Sequence, residues 1–127
     1  MLAVNSNKLK LRNNTMTKTT FTSKNVNADG TSLQGFITCS YDTLCEVFGM
    51  PINGDGYKTR AEWEGKTSDG TVFTIYDWKE SQPISDVTDW HIGGRDKNAI
   101  QVVHDIVNET LGESAKYAAR LETIRTF

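Results

Sequence analysis

The strongest periodicity in the chain runs through Ala99, Ile100, Val103, Ile106, Val107 and Leu111, at three- and four-residue spacing. That spacing is the apolar stripe one face of an α-helix turns toward a core. Val102 widens it. Asp96 precedes the stripe as an N-cap residue and Gly112 follows it as a C-terminal glycine, so the pattern predicts a helix from Lys97 to Leu111. A second, shorter helix is expected from Tyr41 to Phe48. Ser40 would cap it, Leu44, Val47 and Phe48 form its apolar face, and Gly49 with Pro51 stops it.

Period-two patterns mark the strands. From Tyr57 to Lys66, Ala61, Trp63 and Gly65 share one face, while Lys58, Arg60, Glu62 and Glu64 share the other, which reads as a solvated face. Ser68-Asp69-Gly70 is a hairpin turn with the Asp-Gly signature. The partner strand, Thr71 to Trp78, carries bulk on both faces, with Phe73 and Ile75 on one and Val72, Tyr76 and Trp78 on the other. It is therefore expected at the centre of the sheet. Leu33–Thr38 and Val87–Ile92 read as further strands, the latter ending at the pair Gly93-Gly94, and Thr-rich Thr17–Ser23 around Phe21 as an edge strand. Asn27-Ala28-Asp29-Gly30 is a turn, Asn53-Gly54-Asp55-Gly56 a flexible loop, and Lys79–Asp86 a polar loop around Pro83.

These elements predict an α+β domain: a small antiparallel sheet of three to five strands with a central hairpin, packed against one long helix and one or two short ones. The expected organisation is a flexible arm over 1–15, one domain over 16–112, and a C-terminal helix or tail over 113–127. Met16 is a second candidate start, just before the domain.

With 127 residues the chain suits one domain. Its 14 Lys plus Arg against 16 Asp plus Glu leave no basic excess, so neither nucleic acid nor a strongly acidic mimic role is expected. There is no apolar run long enough for a membrane span and no secretory leader pattern, so a membrane partner is not expected and a reducing cytoplasm is. Cys39 and Cys45 are read as free thiols.

Candidate chemistry concentrates in Asp89-Trp90-His91-Ile92-Gly93-Gly94-Arg95. Two glycines before a helix start, with a cation beside them, suggest a cradle for an anion or phosphate, because a helix N-terminus presents unpaired N–H groups. The bland alternative is a tight strand-to-helix turn. Trp78, Lys79, Trp90, His91, Gly93, Gly94 and Arg95, joined by Tyr57 and Lys58 from the glycine loop, form the candidate ligand set. Aromatic faces for a base and amides for a phosphate suit a nucleotide-like or other anionic ligand. No catalytic motif is present. His91 with Asp89 or Asp77 as orienter is the one acid–base arrangement to consider, and neither a cofactor nor a metal is expected.

Six blocks carry a family resemblance: Gly30-Thr31-Ser32-Leu33-Gln34-Gly35, Gly54-Asp55-Gly56-Tyr57-Lys58, Ala61-Glu62-Trp63, Asp69-Gly70-Thr71-Val72, Ile75-Tyr76-Asp77-Trp78-Lys79 and Thr88-Asp89-Trp90-His91-Ile92-Gly93-Gly94. In this order, over Thr17 to Val107, the chain resembles a family of small, functionally uncharacterised proteins encoded by tailed bacteriophages. The resemblance implies an infected host cytoplasm and an accessory role, such as countering host defence, but no reaction. Two functions follow as expectations. The first is a non-catalytic binding protein that sequesters a nucleotide-like ligand. The alternative is an inhibitor or adaptor that binds a host protein, with 113–127 available for self-association.

Overall fold

The computed structural model describes residues 19–112 and the backbone of 124–126. The expected arm over 1–15 and most of the expected C-terminal helix or tail lie outside the described residues. The elements, in order, are β1 (Phe21–Thr22), β2 (Ser32–Thr38), α1 (Tyr41–Phe48), β3 (Ile52–Asn53), β4 (Ala61–Thr67), β5 (Val72–Tyr76), a 3-10 turn (Ile84–Asp86), β6 (Asp89–Gly94), α2 (Asn98–Leu111) and β7 (Ile124–Thr126).

The strands form one antiparallel sheet in the order β1-β4-β5-β6-β2-β7, with β3 pairing β4 beside β1. The domain is a small α+β fold, as the patterning predicts. Its four long strands are β4, β5, β6 and β2, and β5 holds the expected central place between β4 and β6. The two- and three-residue strands β1, β3 and β7 extend the sheet at its edges. At 124–126 the backbone is a strand against β2, where a helix or tail was expected.

The register sorts every long strand into two faces. Trp63, Ile75, Ile92 and Gly35 lie on one cross-strand row, and Glu62, Tyr76, His91 and Phe36 on the next, pointing the other way. The first face is covered by α2 and α1. Ile37, Trp63, Phe73, Ile75, Trp90 and Ile92 meet Leu44, Val47, Ala99, Ile100, Val103, Ile106 and Val107 in a single core. This is the apolar face that the 3.6-residue periodicity of α2 requires, and the helix begins one residue later than expected.

Local hydrogen bonds close the helix ends, among them the Gly49 N–H to the Cys45 carbonyl at 2.9 Å after α1. The Ser40 hydroxyl accepts from the Thr43 N–H at 3.0 Å. The cap position of α2 is Lys97 rather than the expected Asp96, whose carboxylate, one residue earlier, accepts from the Asn98 N–H at 2.8 Å; Gly112, at φ +58°, donates to the Asn108 carbonyl at 3.1 Å. No helix of the described residues is long and apolar enough to cross a membrane, and both cysteines are free thiols.

Candidate functional site

Among the described residues, no helix lies on the second face of the sheet. Across its middle, Phe36, His91, Tyr76 and Trp78 form an aromatic chain. The His91 ring meets Phe36 edge-on at 4.8 Å, tilts against Tyr76 at 5.3 Å and lies near-parallel to Trp78 at 6.0 Å. Tyr76 and Trp78 meet edge-on at 6.4 Å, and the Lys79 ammonium stands 5.6 Å from the centre of the Trp78 ring.

Beside this chain lies an open cleft of about 260 Å³. Its floor is Glu62 and Glu64 of β4, Thr74 and Tyr76 of β5, and Gly93 of β6. The concavity depends on Gly93: a Cβ there would stand 2.3 Å from the Thr74 hydroxyl and 3.4 Å from the Tyr76 ring. One wall is the turn leading into β2 with the first residue of that strand, contributing Ala28, Thr31 and Ser32. Arg95 holds that turn, its guanidinium donating to the Asn27 carbonyl at 2.8 Å and to the Asp29 carbonyl at 2.9 and 3.1 Å. The opposite wall is Thr59 and Trp78. Here the loop 54–59 is fixed by Asp55, whose carboxylate accepts from the backbone N–H groups of Tyr57, Lys58 and Thr59 at 2.8–3.1 Å. Those bonds, from Thr59 and Tyr57 foremost, hold the Asp55 carboxyl below its ordinary range. The Lys79 N–H then donates to the Lys58 carbonyl at 2.6 Å, tying the loop to the end of the Tyr76–Lys79 segment.

The cleft is acidic. Glu62 accepts from the Thr59 hydroxyl at 2.7 Å. Glu64 is pushed above the usual carboxylate range by burial and then by the charge of Glu62. Burial, followed by the same Glu62 charge, raises the Tyr76 phenol. Among the described residues neither glutamate forms an ion pair; the one ion pair is Arg60 with Asp77.

The candidate residues chosen from sequence separate into three groups. Trp78 and Gly93 line the cleft, with His91 and Lys79 against Trp78. Tyr57 and Lys58 lie exposed on the adjoining loop. Trp90, Gly94 and Arg95 do not belong to the cleft lining. Trp90 is 0 % exposed in the core, its indole donating to the Cys39 carbonyl at 2.9 Å. Gly94 faces the helix, where an added Cβ would stand 2.4 Å from that of Ala99.

The anion cradle is not formed. Gly93 and Gly94 are paired residues of β6 and not a turn, Arg95 is engaged by the wall, and the Asn98, Ala99 and Ile100 N–H groups donate to Asp96 and Lys97. Nor does Asp77 orient His91. Asp77 is buried on the opposite face, accepting from the Arg60 and Ala61 N–H groups at 2.8 and 3.0 Å. Asp89 shares the His91 face and accepts from the Thr38 hydroxyl at 3.1 Å.

The residues that sequence reasoning passed over are Glu62, Glu64, Thr59, Thr74 and Tyr76. Strand alternation had put Glu62 and Glu64 on one face, but it carries no information about whether a loop folds over that face. Comparison with protein-family models, curated proteins and solved structures finds no match to this chain.

Proposed function

We propose that this protein is a non-catalytic accessory protein of tailed bacteriophages that binds a small organic ligand on the open face of its sheet. The phage setting comes from the six sequence blocks described above. The binding reading is carried by one observation: a concave, aromatic-flanked cleft floored by Gly93, on the sheet face opposite α1 and α2. Ligand sites are concavities of this kind, with a few convergent polar groups on a rigid scaffold. The ligand keeps the stacking half of the nucleotide-like expectation and loses the phosphate half, since the amides and the guanidinium meant for phosphate are already bonded.

The test is a thermal-shift screen of the purified protein with a panel of small organic molecules, because a ligand that binds only the folded state raises the melting temperature. Trp78→Ala should lower affinity at least tenfold while the unliganded melting temperature stays close to that of the parent. Unchanged affinity in Trp78→Ala would place the site elsewhere. The host-protein reading draws on a different surface, where Met50 is 78 % and Ile52 is 53 % exposed at the β3 edge. A host partner lost on Ile52→Asp but kept on Trp78→Ala would favour it.

A further inference from the structure

We infer that the cleft selects a small organic cation, a guanidinium or ammonium group seated between Glu62, Glu64 and the rings of Tyr76 and Trp78. This rests on the reading of the cleft as a ligand site and names the class of ligand. The chemistry of the lining is one-sided. Glu62 and Glu64 are two residues apart on one face of β4, and their cross-strand partners are Tyr76 and Thr74. Both carboxylates line the cleft, and no lysine or arginine is among its lining residues. Of the described cations, Arg95 bonds the wall carbonyls, Lys79 stands over the Trp78 ring, and Lys66, two residues beyond Glu64 on the same face of β4, lies outside the lining.

Two neighbouring carboxylates repel each other, and a cation between them relieves that repulsion. A planar guanidinium fits a carboxylate with two parallel hydrogen bonds. The Tyr76 ring in the floor adds an electron-rich surface that favours a cation, as the Trp78 ring already does for the Lys79 ammonium. The hydroxyls of Thr59, Thr74, Thr31 and Ser32 also line the cleft, those of Thr59 and Thr31 donating to Glu62 and to the Ala28 carbonyl.

The experiment is an amide-resolved NMR titration of the full chain at neutral pH with four probes. These are n-butylguanidinium, its neutral isostere n-butylurea, the anion AMP, and a blocked Gly-Arg-Gly peptide that presents the same guanidinium on a chain. The guanidinium should shift the amides of Glu62, Glu64, Thr74 and Gly93 saturably, at least tenfold more tightly than the urea, and AMP should leave them in place. The peptide arm separates the sources: tighter binding of free n-butylguanidinium means a free metabolite-like cation, and tighter binding of the peptide means an arginine side chain of a partner.

The double variant Glu62→Gln and Glu64→Gln should lose this preference. The shape of both side chains is kept, its spectrum reports whether it is folded, and the single Glu64→Gln variant carries the test if it is not. Urea or AMP bound in the cleft as tightly as the guanidinium would overturn the cation and leave the binding reading standing. If none of the four probes moves a cleft amide, the cation is overturned as well. The binding reading then fails only if the wider thermal-shift panel also finds no Trp78-dependent ligand.

Discussion

Trp78 and Trp90 look alike in the sequence, each following an aspartate, yet the sheet puts them to opposite uses. Trp90 is sealed among Trp63, Tyr41 and the core, with its N–H bonded, while Trp78 is 40 % exposed. Truncation of Trp90 to alanine should cost about 3–5 kcal/mol, the usual range for a large buried aromatic, and Trp78→Ala about 0.5 kcal/mol or less. Urea denaturation of the two variants checks both. The distinction was partly legible: within Trp90-His91-Ile92-Gly93, alternation alone forbids Trp90 and His91 from facing one ligand. Which of the two faces a helix would cover was not legible, because both carry an aromatic or imidazole ring.

Glu64 makes a pH-dependent prediction at the same scale. Its folded carboxyl is raised above the ordinary value by burial and by Glu62. The folded state therefore holds the proton more tightly than the unfolded chain. Glu64 thus lowers stability as pH rises from the ordinary glutamate range through its raised folded value, and the penalty is fully present above that. Glu64→Gln removes the penalty, so its melting temperature should exceed the parent's at neutral pH, with the gap closing as pH falls below the glutamate range. A gap that stayed constant from pH 3 to 7 would mean that ionisation of Glu64 is not the cause.

Among the elements, the two helices and the central hairpin were plain in the sequence, since each has a complete pattern and its own stop signals. The pair Gly93-Gly94 was not. Two glycines after an apolar run read as a turn, because nothing local shows that a neighbouring strand needs their missing side chains. Here Gly93 lets the cleft form beside Thr74 and Gly94 lets α2 approach the sheet at Ala99. Gly94→Val should push the helix outward and cost about 1–3 kcal/mol, as overpacking does, which thermal unfolding would show. Arg95 was expected at a phosphate and instead clasps the carbonyls of Asn27 and Asp29. Arg95→Ala should leave the core intact and free the turn at 27–32, a loss of about 1 kcal/mol. Faster amide exchange at Thr31 with unchanged exchange in α2 is the expected signature.

At the level of the whole molecule, one sheet divides labour between its faces. The covered face holds the apolar side chains that stabilise the fold, and the open face holds charge and half-exposed rings supported from behind by that core. This division predicts a separation in tryptophan fluorescence. Trp63 is 4 % exposed and Trp90 is 0 % exposed, so Trp78 is the indole that a neutral solute such as acrylamide meets in water. Collisional quenching of the native protein should come mostly from Trp78, and Trp78→Phe should leave an emission that acrylamide scarcely reduces. The unfolded chain, with every indole in solvent, should be quenched strongly in both proteins. Because Trp78 stands on the cleft wall, a ligand in the cleft should also protect the parent from quenching and leave Trp78→Phe unaffected. Equal quenching of parent and variant would show that the indole at 78 is shielded, and a ligand protecting both would show that it acts away from the open face.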